Sequence, residues 1–199
     1  TPLSVMRLPL QSEDTPENRA MLAELFQMEQ YVTMALSYAR LGNPTKDLVL
    51  TRVPLDPVIR QAIRDFAPLL IRKKLRLQYE PTTESALTDS KWLLSILHQL
   101  LSNAVKYTER GRVSIRVTSA PAIIVADTGI GIAPEDVPRV FEKGYTGYNG
   151  RGGQKSTGLG LYLVHQTAEM FHFRVSLSSR IGEGTSVTID LHQEELGKE

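Results

Sequence analysis

The sequence predicts an α/β fold, a two-layer sandwich of one mixed sheet with helices on one face, preceded by a helical segment of different character. Three observations lead there. From residue 46 onward, short apolar or alternating runs take turns with longer runs of helical period. Residues 19–41 instead carry Met21, Leu25, Met28, Val32, Ala35 and Ala39 at alternating steps of four and three, the seam of a helix lying along another helix. And 41% apolar with 23% charged residues over 199 positions is the composition of a chain that packs a core.

Taken in order, Ser12–Pro16 reads as a turn, and residues 2–11 as the tail of an earlier helix. The seam helix stops at Gly42, Asn43 and Pro44. Leu48–Val53 reads as a strand. Asp56–Lys73 is a helix with Val58, Ile59, Ala62, Ile63, Phe66 and Leu70 on its apolar side. Leu75–Tyr79 is a strand and Asp89–Tyr107 a strongly apolar helix. Val113–Thr118 and Ala122–Ala126 are strands, the second apolar throughout and so expected at the sheet centre. Pro134 opens a short helix. Residues 142–157 show no apolar period, and seven of the 14 glycines fall between 144 and 160, which predicts a mobile loop. Gly158–Phe171 is helical; Arg174–Leu177 and Ser186–Leu191 are closing strands around Gly182-Glu183-Gly184. The organisation expected is a helical part over 1–45, an α/β domain over 46–192 and a tail over 193–199.

A net charge of +1 gives no reason to expect nucleic-acid binding. The absence of cysteine excludes disulfides, zinc–thiolate sites and thiol catalysis. No run reaches the roughly 18 apolar residues of a membrane span. Opening at Thr1 without methionine, the chain is read as part of a longer protein.

Four stretches carry chemistry. On the 89–107 helix, Gln99, Asn103 and Lys106 fall at i, i+4 and i+7 in one stripe. An amide oxygen suits Mg²⁺ and an ammonium suits phosphate; the stripe could equally face water. Asp127 follows an apolar strand and precedes Gly129 and Gly131, which let the backbone approach a ligand closely. An ionised Asp only accepts, so it suits the amine of adenine; a tight turn with a solvated Asp is the plainer alternative. An aspartic-protease reading of Asp127-Thr128-Gly129 fails for want of a second such motif. A Rossmann fingerprint fails because Pro134 replaces the third glycine. Phe141-Glu142-Lys143 leads into a glycine-rich basic stretch, Gly144 to Thr157, whose amides with Lys143, Arg151 and Lys155 suit a triphosphate or else form a plain surface loop. Thr157-Gly158-Leu159-Gly160-Leu161 runs into a helix whose free N–H groups suit phosphate, or is an ordinary helix entry.

In this order the four stretches resemble the N, G1, F and G2 boxes of the histidine-kinase catalytic domain, and Gly182-x-Gly184-Thr185 resembles that family's ending. The resemblance covers residues 46–192. It implies the Bergerat ATP-binding sandwich, with ATP and Mg²⁺ as cofactors. Asn103 would ligate Mg²⁺, Lys106 would meet the phosphates, and Tyr107 would lie against the nucleotide. Asp127 would read the adenine amine with Thr185, in a pocket shaped by Gly129 and Gly131. Gly158, Leu159, Gly160 and Leu161 would line the phosphates, with residues 143–157 as a lid. Residues 141–151 further resemble intramembrane-sensing kinases that respond to cell-wall antibiotics and antimicrobial peptides.

The activity implied is transfer of the ATP γ-phosphoryl to a histidine and then to an aspartate of a response regulator. The setting implied is the cytoplasmic part of a bacterial membrane protein that is a homodimer at full length. Thr1-Pro2-Leu3-Ser4 resembles the end of the family's H box, so the acceptor histidine is expected four residues before Thr1, with residues 1–41 as the remainder of a dimerisation hairpin. His98, His165, His172 and His192 are expected to be structural or surface residues. Gln99 departs from the family's Asn; an amide cannot activate water as the Glu of Hsp90-type ATPases does. Two other readings are an ATP-binding interaction module and an ATPase of the same fold.

Overall fold

The structure is a computed structural model that describes residues 49–147 and 157–192, with scattered positions between 10 and 39. The chain forms two compact units, Thr1–Gly42 and Asn43–Glu199. In the first, Met21, Leu25, Met28, Val32, Leu36 and Ala39 are all helical. Thr15 starts the helix by accepting from the Asn18 N–H at 3.1 Å, ahead of Pro16. Leu25 is buried, whereas Met21, Met28, Val32 and Leu36 are exposed.

The second unit runs β1 (Thr51–Pro54), α1 (Leu55–Arg72), β2 (Arg76–Tyr79), β3 (Ser85–Thr88), α2 (Ser90–Tyr107), β4 (Arg112–Val117), β5 (Ala122–Asp127), a 3₁₀ turn (Val137–Arg139), α3 (Gly160–Met170), β6 (Arg174–Arg180) and β7 (Gly184–Asp190). Its main sheet has the order β2-β4-β5-β7-β6, which puts the apolar β5 in the middle. The single sheet expected is in fact two, because β1 and β3 form a separate antiparallel pair. Ser85–Thr88 carries no strand signal in the sequence: four residues are too few to show an alternation. The first strand begins at Thr51, with Val49 and Leu50 before it; Leu48, where it was expected to start, lies outside the described residues. No α-helix follows Pro134; residues 134–136 make a turn that leads into the 3₁₀ turn. The glycine-rich loop falls largely at 148–156, outside the described residues, as does the tail over 193–199.

Strand register explains where the core sits. With a side-chain period of two, one face of the sheet carries three cross-strand rows. Tyr79, Ile115, Val125, Val187 and Leu177 form the middle row. Val117, Ile123, Ile189 and Val175 form the row on one side of it. On the other side lie Leu77, Val113, Asp127, Thr185 and Ser179, so the apolar face turns polar at one end. Helix α2 packs on β5, α3 packs on α2 and β6, and α1 packs on α2. The opposite face presents Arg112, Ser114, Arg116, Ser176, Ser178 and Thr188, none of them buried.

Asp89 sets the start of α2. Its Oδ1 accepts from the Lys91 and Trp92 N–H groups at 2.8 and 3.4 Å, and its Oδ2 accepts from the Val49 N–H at 3.1 Å. His98 joins α2 to α1 through Nε2 and Asp65 Oδ2, 2.9 Å apart, with its ring 5.7 Å from that of Phe66. Burial pushes the His98 imidazole below the ordinary histidine range, against the raising effect of Asp65. A histidine depressed in the folded state contributes stability that is present above its unfolded pKa and lost as pH falls through the folded one. Acidification from pH 7 to pH 5 is therefore expected to lower the melting temperature, and His98→Gln to flatten that dependence. An unchanged pH slope in His98→Gln would assign the acid sensitivity elsewhere.

Candidate functional site

The polar end of the sheet opens into a cleft. Val125, Leu177 and Val187 of the middle row form its floor, with Asp127 and Thr185 beyond them. Leu100, Asn103, Ala104 and Tyr107 of α2 form one wall. The segment after β5 forms the facing wall with Ile130, Gly131, Ile132, Asp136, Val140 and Tyr145. Gly158, Gly160 and Leu161 close one end. The cleft is open at its mouth, and its lining passes from an apolar floor to the polar Asp127, Thr185 and Asn103.

Asp127 is the last residue of β5. Its Oδ1 accepts from the Gly129 N–H at 2.8 Å. Burial raises the acid's pKa above the ordinary aspartate value; the Gly129 and Thr185 N–H groups and the Thr108 hydroxyl oppose that shift. Two in-register neighbours complete the row. Ser179 Oγ accepts from the Ile132 N–H at 2.8 Å, donates to the Gly184 carbonyl at 2.9 Å, and lies 2.9 Å from Thr185 Oγ1. A hydroxyl has one proton to donate. Ser179 has spent its own on Gly184, so the Thr185 hydroxyl donates to Ser179 and turns its lone pairs outward. Ser179 thus fixes both Thr185 and the start of the facing wall. It was not among the sequence candidates, because one Ser in the alternating run 174–180 carries no signal until the register is known.

Protein backbone packs closely at both Gly129 and Gly131. A Cβ on Gly129 would stand 2.4 Å from the Tyr107 carbonyl oxygen, and one on Gly131 would stand 2.1 Å from that of Arg180. Gly131 also has φ +71°, where glycine alone is unstrained. The glycines let protein backbone pack on protein backbone, and only Gly131 reaches the cleft wall. The closed packing at Gly129 lets the Ile130 N–H donate to the Tyr107 carbonyl at 3.1 Å.

The polar stripe on α2 does not simply face water. Gln99 is buried at 7% exposure beside Gly160, whose absent Cβ would lie 3.1 Å from Gln99 Oε1. Asn103 lines the cleft. Lys106 sits over the Tyr107 ring, 5.2 Å from its centre, and does not line the cleft. Gly158, Gly160 and Leu161 also line it; Leu159 and Thr157 do not, and Lys143 is exposed outside it. Helix α3 begins at Gly160, two residues later than expected. Thr157 Oγ1 accepts from the Leu159 N–H at 3.4 Å, which shapes the entry. No group of three or more His, Cys, Asp or Glu gathers to hold a metal among the described residues. A single Asn in a nucleotide cleft fits Mg²⁺, which binds through few side chains together with substrate phosphates.

A family model described as histidine kinase-, DNA gyrase B- and HSP90-like ATPase matches residues 88–195. The sensor protein BceS of Halalkalibacterium halodurans is 35% identical over 198 residues, 98% of this chain and 59% of that protein. The sensor histidine kinase YxdK of Bacillus subtilis is 34% identical over 193 residues, 94% of this chain and 59% of that protein. This chain thus spans about three-fifths of these curated relatives. Among solved structures, full-length ShkA in complex with AMPPNP superposes with a TM-score of 0.65 at 24% identity, over 94% of this chain and 43% of that one. The Acinetobacter baumannii histidine kinase AdeS superposes with a TM-score of 0.61 at 20% identity, over 97% and 96%. The architecture is the two-layer α/β sandwich of the ATP-binding domains. The chain belongs to the histidine kinase-, DNA gyrase B- and HSP90-like ATPase family, with an ATP-binding domain of the bacterial sensor histidine kinase type.

Proposed function

We propose that the cleft binds Mg-ATP and that the chain serves a sensor histidine kinase. In that enzyme the γ-phosphoryl passes to a histidine and then to an aspartate of a response regulator. The observation that carries the reading is the placement of Asp127. It is a partly desolvated carboxylate in register with Thr185 at the end of an apolar floor, in the same cleft that Asn103 lines. The adenine amine would donate to Asp127, and the base would rest on Val125, Leu177 and Val187. Asn103 would hold Mg²⁺ through its amide oxygen; the metal, once bound, would neutralise charge on the transferring phosphate. Gly158, Gly160 and Leu161 would face the phosphates, with Lys106 swinging from Tyr107 to join them. The remaining assignments, Gln99, Tyr107, Gly129, Gly131, Lys143, Thr157 and Leu159, support that site from its edges. The protein's share of catalysis is positioning and charge compensation. With Gln99 buried where the hydrolases have their Glu, this position offers no general base to activate water. ADP would remain as product. The same reading sets the domain on the cytoplasmic side of a membrane-bound homodimer.

Calorimetry tests the nucleotide assignment. ATP and ADP are expected to bind and GTP to bind at least tenfold more weakly, since guanine offers a carbonyl where adenine offers the amine, and leaves Asp127 unpaired. Equal binding of ATP and GTP would sink it. Labelled ATP supplied with a full-length, kinase-inactive partner tests the reaction. Acid-labile, base-stable label on a partner histidine means kinase, inorganic phosphate alone means ATPase, and neither means an ATP-binding module.

A further inference from the structure

The end of the cleft where Asp127 stands is short of hydrogen-bond donors. No lysine, arginine or histidine lines the cleft among the described residues. The backbone donors nearby are committed within the protein. The Gly129 N–H goes to Asp127 at 2.8 Å, the Ile130 N–H to the Tyr107 carbonyl at 3.1 Å, and the Ile132 N–H to Ser179 at 2.8 Å. In the sheet row of Asp127, the side-chain donor that lines the cleft is the Thr185 hydroxyl. Where that hydroxyl sends its proton decides whether a carbonyl on a bound base finds a donor.

Ser179 receives the proton. Its Oγ lies 2.9 Å from the Gly184 carbonyl and 2.9 Å from Thr185 Oγ1. A carbonyl oxygen only accepts, so the single Ser179 proton goes to Gly184, and the contact with Thr185 is a bond because Thr185 donates. The reverse direction would leave two oxygens 2.9 Å apart at Gly184 with no proton between them. As assigned, Ser179 accepts from Ile132 and Thr185 and donates to Gly184, which is the full complement of a hydroxyl. Strand register holds the parts in line, with Ser179 opposite Thr185 on one side and Asp127 opposite Thr185 on the other.

We infer that Ser179, by taking the Thr185 proton, withholds a donor from a carbonyl on the bound base and so adds to Asp127 a second discrimination for amino purines over oxo purines. The inference rests on the proposal that the cleft binds ATP with its base at Asp127. Ser179 acts on the base through Thr185 and is a positioning residue. An oxo purine gives up water at its carbonyl on entering and meets a carboxylate and a hydroxyl whose proton is turned away, and a hydrogen bond left unmade in a site is a strong ground of rejection.

Calorimetry with ADP and inosine diphosphate tests this, since the second carries a carbonyl where the first carries the amine. The unaltered chain is expected to bind ADP at least about tenfold more tightly. Ser179→Ala frees the Thr185 proton for the carbonyl, and the ratio is expected to fall to about threefold or less. The same variant strips the Ile132 N–H of its acceptor, but a loosened wall weakens both nucleotides alike and leaves the ratio where it was. Adding Thr185→Val to Ser179→Ala removes the freed proton and should bring the ratio back. A ratio in Ser179→Ala within about twofold of the unaltered chain overturns the inference, as does a ratio that stays low in the double variant. Should Ser179→Ala not fold, Thr185→Val alone decides. Thr185 gives an oxo purine no proton in the unaltered chain, so its loss is expected to leave the affinity for inosine diphosphate within about twofold, and a larger loss overturns the inference. Equal binding of the two nucleotides by the unaltered chain removes Asp127 from the base, and the inference with it. Binding of neither removes the nucleotide reading itself, an outcome distinct from a high ratio that Ser179→Ala fails to change.

Discussion

Asp127→Asn is expected to raise the melting temperature of the unliganded protein while weakening ATP binding by roughly 10–100-fold. The two effects have one cause. Burial raises the folded-state pKa of Asp127. An acid raised in this way contributes stability that is present in full below its unfolded pKa and lost as pH rises through the folded one, so at neutral pH the ionised side chain is a burden on the fold. The amide of Asn removes that burden and keeps an oxygen for the Gly129 and Thr185 N–H groups. It does not keep the charge, nor a second acceptor for the adenine amine. The aspartate is thus retained at a cost to stability for the sake of the ligand, as functional groups commonly are. ATP affinity should also weaken as pH is lowered through the Asp127 pKa, starting at a higher pH than an ordinary aspartate would give; the Asn variant should show no such limb. Thermal melts with calorimetry at pH 5 and pH 7 check both parts. A fall in melting temperature combined with unchanged ATP affinity would remove Asp127 from the site.

That Asp127 could be singled out from sequence, and Ser179 and Asp136 could not, has a physical basis. Asp127 is preceded by five apolar residues and followed by two glycines at fixed offsets, so local chemistry marks it. Helices α1 and α2 were legible for the same kind of reason, 18 residues each of sustained helical period. Strand β5 was placed at the centre of the sheet because it lacks a polar face. Ser179 becomes meaningful only when β6 is in register with β7 and Thr185 stands opposite it. Asp136 and Tyr145, which line the cleft, look like an ordinary polar connection in the sequence, where Pro134 marks only a short helix; i to i−3 bonds through Arg139 and Glu142 bring them together. The two glycines are legible only in part for a similar reason. Their spacing shows that something comes close, and only the fold shows that it is the Tyr107 and Arg180 carbonyls.

Lys73 is the residue whose loss is expected to damage the fold most for the least sequence signal. Its ammonium donates to the carbonyls of Val105, Lys106 and Thr108 at 2.6, 3.2 and 3.0 Å. The last carbonyls of a helix have no partners within it. Lys73, from the end of α1, supplies them for the end of α2, and the Ile130 N–H supplies one for Tyr107. Three donors on three acceptors suit an ammonium, whose protons fan out, better than the flat fork of arginine. Burial pushes Lys73 below the ordinary lysine range, with the Glu109 charge opposing and Arg72 adding to the shift. Lys73→Met keeps the stem and removes the donors. It is expected to cost about 2–3 kcal/mol in urea unfolding, the range for losing hydrogen bonds to a charged group while carbonyls are left unpaired. Lys73→Arg should recover only part of this. The consequence for function follows from position. The capped turn carries Lys106 and Tyr107, and its other tether runs to the loop of Asp127, so freeing it loosens both sides of the cleft at once. ATP affinity in Lys73→Met should fall several-fold under conditions where the protein remains folded. A variant that unfolds within about 0.5 kcal/mol of the unaltered chain, the ordinary scatter of surface substitutions, would show that water satisfies those carbonyls equally well.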